Sequence, residues 1–487
     1  MRGELNLHSD RYWQLTVYDP SQKRPAALGN GIIYQIFPDR FCNSGSPKQN
    51  VPADRTLRTD WGNLPVYLPN EKGEVTNSDY FGGDLAGITQ HLDYLAQLGV
   101  TCLYLNPIFE AHSNHRYNTA DYLHIDPLLG TEEDFAQLCA KAKQYGISVI
   151  LDGVFSHTGS DSVYFNRNGR YGQHSGAYRD PNSPYREWYT FHRYPDSYES
   201  WWGFLTLPNV RENNPQYMDF ICDPKTGVLA KWLRLGASGF RLDVADELTD
   251  DFLDRLRAVV KAENPDALIV GEVWENAAHF VNHGMMDGAM NYDFRRFCRQ
   301  FFAEGSIDAA EFDLRLSSLL TRYPRQMLSA QLNLLDSHDV SRFLTLCGGD
   351  RARMEQAVLF QMSFPGMPCV FYGDEKGLEG ASENEYRRPM DFGRADGLEE
   401  AYRRMIALRK EHPALRHGDF QTVLAQGALF LCRRSAAEES LLLCWNAGGE
   451  ALPVPGLPKD ALPLLQKGWK GGLLEGRGYV VFQTAKP

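Results

Sequence analysis

The chain has 487 residues, 43% of them hydrophobic, and a formal net charge of -12 from 50 basic and 62 acidic side chains. That length exceeds one ordinary compact core, so two or three domains are expected unless a large barrel takes most of the chain. The acidic balance argues against nucleic acid or an anionic membrane as partner, because both need positive charge to release counterions. No apolar run approaches the roughly 20 residues needed to cross a bilayer, and residues 1–10 lack the apolar core of a secretory signal. The nine cysteines form no CxxC pair and lie mostly in apolar segments, as reduced core residues do. A cytoplasmic protein is expected.

Along the chain one unit recurs: an amphipathic helix, a glycine, then an apolar strand. A first strand is predicted over 31–37. A helix over 88–98 then stops at Gly99 before a strand over 100–108. At 131–145 the unit is clearest. Thr131 with Asp134 is a variant of the capping box, Phe135, Leu138, Cys139 and Ala142 recur at helical spacing, and Gly146 precedes a buried strand over 147–154. Residues 157–215 break the rhythm; they are rich in Tyr, Asn, Ser, Gly and Trp, and so long a connection inside a domain is usually functional.

The grammar returns with a helix over 228–235, Gly236 and a strand over 239–244, then a helix striped by Leu248, Phe252, Leu256 and Val259 and a strand over 268–273. Further strands are predicted over 288–292, 331–335 and 368–373, which makes eight. Alternating strands and helices with right-handed crossovers imply a parallel sheet, either closed as a (β/α)8 barrel or open and doubly wound. After a helix over 399–412, stopped by Pro413, short alternating strands over 428–433, 440–445 and 478–483 read as a small C-terminal β-sandwich.

Three carboxylates stand behind three of these strands: Asp243 in Gly239-Phe240-Arg241-Leu242-Asp243-Val244-Ala245-Asp246-Glu247, Glu272 in Gly271-Glu272-Val273-Trp274, and Asp339 in Asp336-Ser337-His338-Asp339. In a parallel barrel, strand C-termini are where catalysis sits. An acid at a strand end is by itself more often a helix cap or a surface charge; three in this pattern point to a glycosidase. Retaining hydrolysis needs a carboxylate nucleophile and a protonated carboxyl about 5–5.5 Å away. Neighbouring strands about 4.8 Å apart can bring Asp243 and Glu272 to such a separation. A like charge disfavours ionisation, so Asp243 is expected to help Glu272 keep its proton. Arg241 is two residues before Asp243 and so on the same strand face, where it can hold that carboxylate.

These stretches, with Asp152-Gly153-Val154-Phe155-Ser156-His157 upstream, resemble in order and spacing the four signature regions of the alpha-amylase superfamily, glycoside hydrolase family 13. The Val-Ala-Asp-Glu continuation after Asp243, Tyr-Gln-Ile-Phe-Pro-Asp-Arg-Phe at 34–41 and Leu207-Pro208-Asn209-Val210 are similar to its neopullulanase, cyclomaltodextrinase and maltogenic amylase branch. The resemblance covers roughly 30–395. It implies a TIM barrel over 31–156 and 216–415, an inserted B domain over 157–215, a C-terminal domain over 416–487 and an N-terminal extension over 1–30. Within that extension residues 15–20 resemble only the tail of the branch's N-terminal carbohydrate-binding domain. Either a monomer or a homodimer is compatible with that.

The resemblance also implies roles. Asp243 matches the nucleophile, Glu272 the acid/base, and Asp339 the third carboxylate, which binds sugar hydroxyls and favours the charged transition state. His157 and His338 match histidines that donate to hydroxyls of the sugar at the cleavage point, and Tyr117 the tyrosine that stacks on that ring. Trp274 is the counterpart platform on the leaving-group side, Glu247 a contact on that side, and Asp152 a support for Arg241 or the sugar geometry. No metal or other cofactor is expected. Ordinary alpha-amylases bind calcium through an Asn where this chain has Ser156, and the branch's second calcium loop loses an acid at Asn43-Ser44-Gly45 while Gly82-Gly83-Asp84 remains.

The expected activity is hydrolysis of alpha-1,4 bonds, with alpha-1,6 bonds left open as a second target, in maltooligosaccharides, cyclodextrins or pullulan, with some transglycosylation. A 4-alpha-glucanotransferase or alpha-glucosidase shares the same residues and is separated by its products. A non-catalytic glucan-binding protein on the same fold would typically have lost one of the three acids.

Overall fold

The structure is a computed structural model that describes residues 25, 31–48, 51–71, 73, 75–437, 439–456 and 462–484. The resemblance at residues 15–20 lies outside the described residues.

Eight parallel strands form one sheet: β1 (Ile33–Ile36), β2 (Cys102–Leu105), β3 (Ser148–Gly153), β4 (Gly239–Leu242), β5 (Leu268–Gly271), β6 (Gly288–Ala289), β7 (Leu332–Leu334) and β8 (Met367–Phe371). Their spatial order is β6-β5-β4-β3-β2-β1-β8-β7. A parallel bridge between Met290, just past β6, and Leu332 in β7 joins the two ends. The sheet is therefore a closed (β/α)8 barrel, not the open alternative. Closure removes both sheet edges and lets side chains from all eight strands fill the interior.

The local signals act as their chemistry dictates. Thr131 and Asp134 exchange backbone N–H bonds at 3.2 and 2.8 Å, a complete capping box ahead of the helix Glu132–Gln144. Gly239 opens β4 at φ +142°, and a Cβ there would lie 2.0 Å from the Leu268 carbonyl oxygen of β5. Only glycine lets these two strands approach so closely at that point. Register then matters: Arg241 pairs with Asp152 across β3/β4 and Leu242 with Gly271 across β4/β5, so Asp243 and Glu272 leave the sheet side by side.

Residues 157–215 hold only short elements: the 3-10 turns Arg186–Trp188 and Trp201–Gly203 and the hairpin Phe191–Arg193 with Ser197–Tyr198. Ring contacts hold it together; Tyr164 packs on Trp188 and Tyr185, and Phe165 on Tyr189 and Tyr198, at centroid separations of 4.7 to 5.3 Å. Each such pair contributes about 0.5–1.5 kcal/mol beyond its buried area. Isolated bridges from His157 to Asn209 and from Tyr189 to Val210 tie the segment's ends together.

The C-terminal region is one six-stranded antiparallel sheet with two apolar faces. Phe430, Cys432, Leu441, Leu443, Trp445 and Val481 join the barrel's core. The alternate residues Leu429, Leu431, Leu442, Cys444, Val480 and Phe482 form a second core with Val454 and Leu474. Strands Asp419–Gln426, Leu452–Pro453 and Leu465–Lys470 complete it and carry no strong apolar alternation of their own. Among the described residues no helix is long and apolar enough to cross a membrane.

Candidate active site

At the C-terminal ends of β3, β4 and β5 a single guanidinium gathers three carboxylates. Arg241 is fully buried. Its Nη1 donates to Asp152 Oδ1 at 2.7 Å and to Asp243 Oδ1 at 2.8 Å. Its Nη2 stands 2.9 Å from Glu272 Oε2, an ion pair whose angle is not that of a hydrogen bond. Three carboxylates against one cation would leave two uncompensated negative charges if all were ionised. Like charges this close cannot all ionise cheaply, and burial adds to the cost. Burial pushes the Asp243 carboxyl well up, Arg241 opposes that rise, and the charges of Glu272 and Asp152 add to it. Burial also raises Asp152, against the pull of Arg241 and two tyrosine hydroxyls.

Glu272 is anchored at its other contact by backbone. The Val244 N–H donates to its Oε2 at 3.0 Å, and Val244 lies in the left-handed region at φ 37° and ψ 51°. For a β-branched residue that conformation costs roughly 1–3 kcal/mol and persists only where its surroundings over-determine it. The strain lies directly after Asp243 and turns the chain so that its N–H meets the neighbouring acid.

A second set of side chains is built on Tyr117. Its hydroxyl donates to Asp152 Oδ2 at 2.7 Å and accepts from Asn106 Nδ2 at 2.9 Å and from His338 Nε2 at 2.6 Å. The His338 hydrogen is assigned to Nε2 because Gln35 Nε2 donates to Nδ1 at 2.9 Å. Tyr117 and His338 rings lie parallel within 3°. Burial, with the cations of Arg387 and Arg241, holds His338 well below the usual histidine range. His157, lowered by burial to about 4, accepts from the Ser156 hydroxyl at 2.9 Å and points its ring N–H at the Tyr117 carbonyl, 3.2 Å away. Both imidazoles are therefore neutral donors at neutral pH.

Asp339 is partly exposed, with His338 Nε2 3.1 Å from Oδ2 and Arg387 Nη2 donating to Oδ1 at 3.2 Å. Burial first, then the charge of Glu272, raises its carboxyl to about 7. Asp336, three residues earlier, belongs to a separate buried group with Arg295, Arg342 and Asp374. Trp274 is 47% exposed and stacks on Tyr292 at 4.0 Å and 7°. Glu247 is exposed and accepts from Trp202 Nε1 at 2.9 Å.

The fold thus gathers Asp152, Arg241, Asp243, Glu272, Tyr117, His338 and Asp339 into one bonded cluster, sets His157 against Tyr117, and leaves Trp274 and Glu247 exposed beyond it. Alpha amylase, catalytic domain, matches residues 35–396 of the sequence. The chain belongs to the alpha-amylase family. Neopullulanase 2 of Thermoactinomyces vulgaris is 37% identical over 438 residues, covering 88% of this chain and 71% of that protein. An amylopullulanase of Thermoanaerobacter thermohydrosulfuricus is also 37% identical over 88% of the chain, but over only 33% of its own length, so the chain spans about a third of that relative. Among solved structures, the ligand-free cyclic alpha-maltosyl-(1→6)-maltose hydrolase of Arthrobacter globiformis superposes with a TM-score of 0.83 at 31% identity, covering 95% of this chain and 100% of that one.

Several residues in and beside this cluster carry no motif of their own. Gln35, Tyr104 and Asn106 are polar groups in or just past apolar, fully buried strands, and that incongruity is a signal the sequence contains. Tyr104 donates its hydroxyl to Asp152 Oδ2 at 2.8 Å. Arg387 and Trp202 have no comparable signal; only the fold separates Arg387 from Arg388.

The calcium loop that the family implies does not fit a divalent cation in this chain. The Lys48 ammonium lies against Asp84 Oδ2, which also accepts the Ser44 hydroxyl at 2.7 Å, while Oδ1 accepts the Gly87 N–H at 2.6 Å. A resident cation already occupies the acid. Among the described residues Glu110, Asp121 and His124 bring three potential ligand atoms within 4.8 Å. There too Asp121 is engaged, by the Leu123 N–H at 2.8 Å and His124 Nδ1 at 2.8 Å.

Proposed function

We propose that the protein is a retaining alpha-glucan hydrolase that cleaves alpha-1,4 or alpha-1,6 bonds in short linear or cyclic maltooligosaccharides and pullulan, with some transfer to sugar acceptors. The convergence of Asp243, Glu272 and Asp152 on the Arg241 guanidinium carries this reading. A non-catalytic glucan binder has no use for three acids held at such cost in desolvation. The names of the relatives, neopullulanase and cyclic maltosyl-maltose hydrolase, support the substrate class.

In this reading Asp243 attacks the anomeric carbon while Glu272 gives its proton to the departing oxygen. The new bond to Asp243 disperses its charge, and Glu272 then takes a proton from the incoming water. Arg241 orients Asp243, and Asp152 holds Arg241. Asp339 binds ring hydroxyls with His338 and His157 as neutral donors, and the Tyr117 ring stacks on the same sugar. Trp274 and Glu247 serve the leaving-group side. A cytoplasmic setting fits the nine free cysteines, eight of them buried.

The test is incubation with maltoheptaose, beta-cyclodextrin and pullulan. Release of glucose, maltose or panose, with the first-formed sugar carrying the alpha anomer, is expected. No release from any of the three would refute the proposal.

A further inference from the structure

Gln35 stands in β1 between Tyr34 and Ile36, a fully buried amide in an apolar strand, paired in register with Tyr104 of β2 and Phe371 of β8. An apolar side chain would fill that place at lower cost, because an amide taken out of water has to recover its hydrogen bonds. Gln35 recovers only part of them. Its Nε2 stands 2.9 Å from His338 Nδ1 and 3.1 Å from Asn106 Oδ1, while its Oε1 is buried with no hydrogen-bond partner among the described residues. Fold stability does not explain such a side chain; the two bonds that its nitrogen makes do.

Those bonds belong to a closed ring of four side chains. Asn106 Nδ2 meets the Tyr117 hydroxyl at 2.9 Å, and the same hydroxyl meets His338 Nε2 at 2.6 Å. The direction of every bond in the ring is set from one point. Asp152 takes the Arg241 N–H on Oδ1 and the hydroxyls of Tyr104 and Tyr117 on Oδ2, so it only accepts. The Tyr117 hydrogen is thereby engaged, and its oxygen accepts from both Asn106 and His338. Asn106 then turns Oδ1 toward Gln35, which faces it with Nε2, and the second hydrogen of Nε2 falls on His338 Nδ1. Neither amide can be reversed without setting donor against donor or acceptor against acceptor.

We infer that Gln35 is the positioning residue that fixes the His338 imidazole as the Nε2–H tautomer, and so keeps a hydrogen on the nitrogen that serves the sugar hydroxyl. This inference rests on the glucan hydrolase reading above. His338 Nδ1 meets an N–H that cannot accept, so neither the other tautomer nor the imidazolium forms without breaking that bond. Around His338, Arg241 from β4, Arg387 and His115 also disfavour a positive charge, Tyr117 keeps its hydroxyl proton, and the Asp339 carboxyl lies 3.1 Å from Nε2. Gln35 touches no substrate in this arrangement and acts through His338.

The experiment compares wild type, Gln35→Met, Gln35→Glu, His338→Phe and the double variant Gln35→Met with His338→Phe on maltoheptaose, and reads the histidine tautomers of isotope-labelled wild type by nitrogen NMR, the His338 signal being the one absent from His338→Phe. In wild type the hydrogen of His338 is expected on Nε2 and not on Nδ1. Gln35→Met should lower kcat by about tenfold with KM changed by less than about twofold, since bonds to hydroxyls of this sugar strengthen in the transition state. It should add nothing to the loss already present in His338→Phe. In Gln35→Glu the new carboxyl and the imidazole share one extra proton at low pH, which leaves Nε2–H in place; once that proton is lost, the carboxylate draws the remaining hydrogen to Nδ1. Its kcat relative to wild type should therefore fall about tenfold as pH rises from about 5 to about 8. A wild-type His338 with its hydrogen on Nδ1, independent losses in the double variant, or a pH-independent ratio for Gln35→Glu overturns the role of Gln35 and leaves the hydrolase reading in place. Wild-type protein that releases no sugar overturns that reading, while the NMR measurement still decides the tautomer.

Discussion

Arg241 Nη1 donates to Asp152 at 2.7 Å from the neighbouring strand, and the same nitrogen reaches Asp243 two residues along its own strand at 2.8 Å. Asp152 is thus the fixed end of a clamp whose working end is the proposed nucleophile. Asp152→Asn keeps the shape, and Asp243 and Glu272 still balance the buried guanidinium, but the charge-assisted bond that fixes Arg241 is weakened. Such a bond contributes about 1.5–3 kcal/mol, so the variant should show a lowered Tm together with reduced kcat. A Tm and a kcat both equal to wild type would contradict the clamp.

Asp243→Asn and Glu272→Gln test the chemistry itself. Losing the nucleophile should lower kcat by at least about 10⁴-fold, close to 5 kcal/mol of barrier, and losing the acid/base by about 10²–10⁴-fold. Near-wild-type circular dichroism is expected for both. Turnover within tenfold of wild type in either variant would remove that residue from its role.

Asp339 should make stability depend on pH. Its folded-state carboxyl is raised to about 7, above the value of an unfolded aspartate near 3.9. Between those values the native state binds more protons than the unfolded chain, so stability falls as pH rises through the window. Asp339→Asn lacks this slope. The Tm difference in favour of the variant should therefore grow from about pH 4 to about pH 7 and stay constant above. A difference that is flat across the window would show that Asp339 titrates normally.

Lys48 should do structurally what a bound cation would do. Its side chain and that of Asp84 are 10% and 4% exposed. Lys48→Met leaves Asp84 buried without its counter-charge, and a loss of about 3–5 kcal/mol is expected. Millimolar EDTA should leave the wild-type Tm unchanged. A chelator-dependent drop in wild type would show that a metal, not Lys48, holds this loop.

Much of the molecule is legible along the chain because its determinants are local. The capping box at Thr131 and Asp134, the glycines at 99, 146 and 236 and the apolar strand segments are set within a few residues of one another. The placement of Asp243 and Glu272 at strand ends follows from the same periodicity. Other features were out of reach for an equally physical reason. Arg387 meets Asp339 across 48 positions, Trp202 meets Glu247 across 45, and Lys48 meets Asp84 across 36, with no pattern linking either member to the other.

By itself, then, the sequence determined the eight barrel strands, several of the helices between them and which acids leave the barrel at one end, since hydrophobic period and cap chemistry act over a turn or a strand. Closure at Met290 and Leu332, the sharing of Arg241 among three carboxylates and the bond between Trp202 and Glu247 were decided by tertiary structure. Those contacts depend on register and crossover geometry, which bring distant segments together and leave no local trace.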